Sequence, residues 1–136
     1  MRIQKEPFGP LVAVHRLYIA KDEKVKGGAR KARVDNPKKV LASSQGAGIW
    51  LGEPKAELYI VEGPENALNL LSCGSYFVVC AISANNMASL TIPDYVHTVK
   101  IVRDRDDAGE AAIKKAAAVY ISQGLEVLEA RITDYE

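Results

Sequence analysis

Cysteine, histidine and long apolar runs are scarce in this chain, and each scarcity removes a class of function. The two cysteines, Cys73 and Cys80, lie in or beside one hydrophobic segment, with no second pair and no nearby histidine. Zinc-ligand spacing is therefore absent, and buried reduced thiols are expected. The two histidines, His15 and His97, have no acid–base partner at a suggestive spacing. A serine nucleophile elbow, GxSxG, is missing, and "SCGS" does not fit it. A phosphate loop of the form GxxxxGK[ST] is missing too, so the chain does not read as a P-loop ATPase by itself. No apolar run approaches the ~18–20 residues of a membrane span. The opening "MRIQKEPFGP" lacks the apolar centre of a secretory leader, and a cytoplasmic setting with no membrane partner is expected. Internal repeats and low-complexity tracts are absent as well.

What is present suits one folded domain. A chain of 136 residues can bury a real core, and 48% hydrophobic with 26% charged residues is ordinary for a globular protein. The net charge of +1 hides an asymmetry. Lys24 to Lys39, "KVKGGARKARVDNPKK", holds seven basic residues against Asp35, a local +6 that leaves −5 for the remainder. Such a segment is either a solvated loop or a phosphate-binding feature.

Hydrophobic patterning gives the element order. Leu11 to Ala20, "LVAVHRLYIA", alternates loosely as a strand, and "GAGIWLG" at 46–52 reads as a short strand between glycines. Leu58 to Val61 is an apolar strand that stops at Glu62-Gly63-Pro64, after which "ENALNLL" has helical spacing. Pro64 suits the first helical position, and Glu65 complements the helix dipole. Tyr76 to Ile82, "YFVVCAI", is the continuous apolar run of a strand buried on both faces. Asn85 or Asn86 is placed to cap a short helix through Leu90, with Pro93 ending it. Thr98 to Val102 is the next strand, followed by a helix from about Asp107 to Gln123 with Gly124 just beyond it. Glu110 precedes Lys114 by one helical turn, the favourable order for an ion pair. Leu125 to Ile132 alternates as a last strand, nearer an edge. This succession predicts an α/β fold with a parallel sheet of about four strands flanked by helices, joined by right-handed crossovers. Residues 1–52 are expected to form a β-rich basic extension, and 53–136 the α/β domain.

The end of the Thr98–Val102 strand is crowded with charge: "VRDRDDAG" at 102–109. Functional residues of open parallel sheets gather beyond the carboxyl ends of the strands. Two segments place acids there, Glu62 after "LYIV" and Asp104 with Asp106 after "VKIV". In an extended chain Asp104 and Asp106 share one side. Converging carboxylates repel unless a cation compensates them, and a hard divalent ion such as Mg²⁺, which keeps positions open for phosphate, is the natural partner. Each acid also has a plainer reading. Asp107 is more simply a helix cap, and Glu62 alone a surface residue at a turn. Arg103 and Arg105 either moderate the repulsion or reach toward phosphate. A calcium loop starting at Asp104 fails at its fifth and twelfth positions, Ala108 and Lys115.

The order and spacing of "VEGPENAL" (Val61 to Leu68) and "VRDRDDAG" resemble the Toprim domain. That domain is shared by bacterial-type primases, type IA and type II topoisomerases, recombination proteins of the RecR kind and nucleases of the overcoming-lysogenization-defect type. "ISANNMASLTIP" and the upstream "HRLYI", "KARVDNPKKVL" and "GAGIWLG" resemble the subgroup found in primase-helicase proteins of phages and mobile elements. The resemblance runs from about His15 onward. It implies a Rossmann-like Toprim fold in which Glu62 is a general acid/base or metal-linked carboxylate and Asp104 and Asp106 are Mg²⁺ ligands, with Mn²⁺ able to substitute. All three acids are thus candidate catalytic and metal residues. Many family members carry another acid four residues after the glutamate; here that position is Asn66, with Glu65 before it. Arg30, Lys31, Arg33, Lys38 and Lys39 are the candidate contacts to nucleic-acid phosphates, a salt-sensitive role. The implied activity is nucleotidyl transfer for primer synthesis on a single-stranded DNA template with NTPs. A Toprim nuclease and a non-catalytic nucleic-acid-binding module are the alternatives. Zinc-binding and helicase modules are expected partners, in the same or another chain, so the sequence is either a domain of a longer protein or a small partner protein.

Overall fold

The computed structural model describes residues 1–17, 19–22, 28–31, 38–41, 45–103 and 109–131, with side chains described for 1–14, 45–103 and 109–131. Its centre is a five-stranded sheet in the order β10-β9-β7-β8-β6. The strands are β6 (Ile49–Leu51), β7 (Glu57–Val61), β8 (Val78–Cys80), β9 (Thr98–Arg103) and β10 (Glu126–Arg131). All neighbours run parallel except β6, which is antiparallel to β8. The expected α/β fold with its Rossmann-like parallel sheet is the observed one, with β6 added at one edge.

Two helices cover the sheet. Helix α1 (Pro64–Cys73) leads from β7 to β8, and α2 (Glu110–Ser122) leads from β9 to β10. The two crossovers leave the centre in opposite directions, so right-handedness puts their helices on opposite faces. The core divides accordingly. On one face Leu58, Ile60, Val79, Val99 and Ile101 pack with Ile113, Ala116 and Tyr120 of α2. On the other, Val61, Val78, Cys80 and Val102 pack with Ala67 of α1. Alternate residues of each strand thus feed alternate faces; Leu58–Val61 of β7 and all of β8 are apolar without interruption because both faces are buried, whereas β9 carries Lys100 within it.

The N-terminal residues join the second core. Strand β1 (Arg2–Gln4) pairs with β2 (Leu11–Leu17), and β2 with β5 (Lys38–Leu41), all antiparallel. A separate pair is β3 (Ile19–Asp22) with β4 (Gly28–Lys31). Ile3 and Ala13 are buried with Ala47 and Ile49 beneath α1. Gln4 and Gly48 exchange backbone hydrogen bonds of 2.8 and 2.9 Å, and Trp50 Nε1 donates to the Gln4 carbonyl at 2.9 Å. Strand β1 is in this way fastened to the edge strand β6.

Several local expectations shift by a turn or less. The apolar run at 11–20 contains the whole of β2 and the start of β3. The segment expected as a short helix is a 3-10 turn, Asn85–Ala88. Helix α2 begins at Glu110, with Gly109 in the cap position; Asp107, the expected cap, lies outside the described residues. Cys80 is buried as expected, but Cys73, the last residue of α1, is exposed. Among the described residues, no helix is long and apolar enough to cross a membrane.

Candidate functional site

The chain direction reverses at one place in the sheet. From β7 it moves outward to β8, then returns across the sheet to β9 on the other side of β7. In parallel α/β sheets that reversal opens a crevice beyond the carboxyl ends of the two strands involved. Glu62 is the first residue past the end of β7. It is half-buried, and its backbone carbonyl accepts from the Cys80 thiol at 3.2 Å. The β7–β9 register pairs Ile60 with Ile101, so two residues on, Glu62 is level with Arg103, the last residue of β9. Asp104 follows Arg103 directly in the chain. Asp104 and Asp106 themselves lie outside the described residues, as does Arg105.

Glu62 is delivered to the crevice by a short, well-defined turn. Gly63 caps α1 in an extended conformation, and Pro64 opens the helix, where the missing N–H costs nothing. Glu65 folds back over the turn, since a Cβ on residue 63 would come within 3.1 Å of its Oε2. A glycine there leaves room for a second carboxylate beside Glu62. The position of Asn66 is on the same first turn of α1.

Arg103 turns its charge toward α2 and β10. Its Nε lies 2.9 Å from Glu129 Oε1, a charge contact whose N–H is not aligned for a hydrogen bond. Its Nη2 is 3.8 Å from Glu110 Oε1. Glu110 also meets Lys114 at 3.4 Å, the expected helical pair, and Glu129 meets Arg131 at 3.9 Å. The Arg103 side chain is only 15% exposed, so these contacts are worth more than pairs on open surface. Arg103 is thereby committed to two carboxylates, and its described partners are structural. At the other end of the strands, Lys100 contacts Glu57 at 3.0 Å. Its hydrogen bond to Glu57, then that to Tyr59, holds the ammonium above its usual pKa.

Of the five basic candidates, four have a described backbone position. Arg30 and Lys31 stand on β4, opposite Ala20 and Ile19. Lys38 and Lys39 stand on β5, opposite Leu17 and Arg16. Arg33 lies outside the described residues. The register places Arg16 directly opposite Lys39. Arg16 sits far from Lys39 in sequence, inside what reads as an ordinary strand, so strand pairing is the only signal that joins them.

Carboxylates supply hard oxygen donors, with neither thiol nor imidazole in the proposed set, and that chemistry fits Mg²⁺ or Mn²⁺. Among the described residues, no three His, Cys, Asp or Glu side chains stand close enough to hold a metal; two of the three proposed ligands are not among them. Two clefts open at the amino-terminal end of the sheet, away from Glu62. One of about 340 Å³ is lined by Asp94, His97, Gln123 and neighbours, the other of about 330 Å³ by Glu6, Tyr95 and neighbours.

A family model described as the Toprim domain matches residues 57–134, from the first residue of β7 to just beyond β10. Neither the curated proteins nor the solved structures compared with the chain give a match.

Proposed function

The chain belongs to the Toprim domain family, and from that premise we propose that it is the Mg²⁺-dependent nucleotidyl-transfer core of a DNA primase-like replication protein of the phage or mobile-element type. The observation that carries this reading is the reversal of strand order between β7 and β9. It sets Glu62 at the end of one strand beside the end of the other, which runs on into Asp104 and Asp106. Toprim membership implies metal-dependent chemistry on phosphodiesters, either transfer or cleavage, and primer synthesis is a transfer of this kind.

In this reading Glu62, Asp104 and Asp106 would hold the metal ion, which when bound would supply Lewis-acid charge to the phosphates. Glu62, half-buried past the end of β7, would hold or move a proton at its carboxylate. Arg16, Arg30, Lys31, Arg33, Lys38 and Lys39 would grip the template backbone. The substrates would be single-stranded DNA and NTPs, with zinc-binding and helicase modules in the same or a partner chain.

The test is incubation with single-stranded template, NTPs and Mg²⁺, with the products resolved by length. Short RNA that disappears in Asp104→Ala supports primer synthesis. Cleavage of DNA without use of NTPs would replace that reading with a Toprim nuclease built on the same acids. Binding without either reaction would leave a nucleic-acid-binding module.

A further inference from the structure

The strand next to Glu62 ends in a turn with an unusual backbone. Ala81 continues the pairing of β8 with β7, donating its N–H to the Val61 carbonyl at 2.8 Å. One residue on, Ile82 has φ +75°, a left-handed conformation that a β-branched side chain adopts only under strain. Such strain survives only where the surroundings over-determine it, and it gathers at functional sites. Here the surroundings are explicit. The Ile82 side chain packs into the core beneath α1. Asn86, itself buried, donates to the Ala81 carbonyl at 2.9 Å and to the Ala47 carbonyl at 2.7 Å. Its Oδ1 accepts from the Gly46 N–H at 2.8 Å. The turn is thus clamped on both sides of its strained residue.

The clamp holds two side chains outward. Ser83 and Asn85 are exposed, while Asn86 and Met87 beyond them are buried. Both exposed groups are neutral hydrogen-bonding side chains, and both follow the carboxyl end of the strand adjacent to β7. Charge is absent from this side of the crevice: from Asn66 to Pro93 the chain contains no Asp, Glu, Lys or Arg. The crevice therefore has Glu62 past the end of β7, with Asp104 and Asp106 next after β9 in sequence, and an uncharged β8 side with hydroxyl and amide groups. A phosphodiester approaching the acids meets no further negative charge on the β8 side, and meets donors there.

We infer that the Ala81–Asn86 turn is a preformed contact for the sugar–phosphate backbone of the nucleic acid, with Ser83 and Asn85 as its hydrogen-bonding residues. The inference rests on the nucleic-acid reading above and adds the wall against which the strand lies. Neutral donors on a rigid turn supply orientation with little ordering cost, and they do not compete with the metal for the carboxylates. Because the contact is to the backbone, it carries no base preference.

The test is fluorescence anisotropy of a labelled single-stranded DNA oligonucleotide, at fixed ionic strength and without metal. It uses the full chain, the double variant Ser83→Ala/Asn85→Ala, and Gln123→Ala in the cleft at the opposite end of the sheet. The double variant is expected to bind about tenfold more weakly, as loss of hydrogen bonds to a charged group implies. Gln123→Ala should bind as the parent does, and the thermal midpoint of the double variant should be unchanged, because neither side chain is buried. Equal affinity of the double variant and the parent overturns the contact while leaving the nucleic-acid reading intact. No binding by the parent overturns both.

Discussion

Asn86 illustrates how much one side chain can hold. Its amide satisfies the carbonyls of Ala47 and Ala81 and the amide of Gly46, joining the lead-in to β6 with the end of β8. Truncation leaves those buried backbone groups without a partner. Asn86→Ala is therefore expected to lower unfolding stability by about 3 kcal/mol, since each orphaned buried group costs roughly 1–3 kcal/mol; urea denaturation measures it. A loss below about 0.5 kcal/mol would mean water replaces the amide without cost. Tyr120 is the second residue of this kind. Fully buried, its hydroxyl donates to the Met87 carbonyl. Burial pushes its pKa up to about 12, opposed in part by the Leu90 backbone amide. Below pH 10 the phenol is neutral in both folded and unfolded chains, and its contribution is fully present. Above pH 10 the unfolded chain loses that proton while the folded one keeps it. Stability then falls by about 1.4 kcal/mol per pH unit until pH 12. Tyr120→Phe should be less stable than the parent at pH 8, and the gap should close as the pH approaches 12. A constant gap across that range would show that the hydroxyl ionises in the folded protein as readily as in the unfolded one.

At the scale of elements, two glycines separate backbone strain from collision. Gly124, at the end of α2, has φ +86°, and a Cβ there would meet nothing within 4 Å. Gly52, after β6, has φ +80°, and its Cβ would come 2.0 Å from the Tyr76 carbonyl oxygen. Gly124→Ala should cost about 1 kcal/mol, the left-handed penalty alone. Gly52→Ala must also push apart the β6 and β8 segments, and is expected to cost at least ~2 kcal/mol more. Thermal or urea unfolding of the two variants decides it, and equal losses would mean the edge strand yields freely. These positions also mark what was legible. Gly124 could be read as a helix end because its neighbours in sequence are its neighbours in space. The strands β7 and β8 were legible because burial on both faces leaves uninterrupted apolar runs, and β9 because Val99, Ile101 and Val102 frame a single Lys100. The φ of Ile82, the three bonds of Asn86 and the partners of Arg103 were not. Each depends on residues that only the fold brings together, such as Glu129 with Arg103 and Ala47 with Asn86. The position of Glu62 just past the end of β7 was legible because the strand and the acid are adjacent in sequence.

For the whole molecule, the arrangement of charge and the metal hypothesis stand or fall together. With Asp104 and Asp106 beside Glu62, as proposed, the acids would oppose folding by mutual repulsion unless a cation sat among them. A ligand that binds only the folded chain stabilises it by mass action, about 2.7 kcal/mol at one hundred times its dissociation constant. Mn²⁺ should therefore raise the unfolding midpoint of the parent in a concentration-dependent way. The variant Asp104→Asn/Asp106→Asn removes two negative charges but keeps the size of both side chains. Without metal its midpoint should equal or exceed that of the parent, because repulsion is relieved. With Mn²⁺ its midpoint should not move. Glu62→Gln should fall between the two, since it removes one carboxylate from the end of β7 and leaves those that follow β9. The same titration with Ca²⁺, larger and less demanding of geometry, separates a general relief of charge from a site suited to a small octahedral ion. If the parent shows no midpoint shift with Mn²⁺, or the double variant shifts as much as the parent, the acids do not form a metal site. The family's chemistry would then have to be absent from this chain despite its fold.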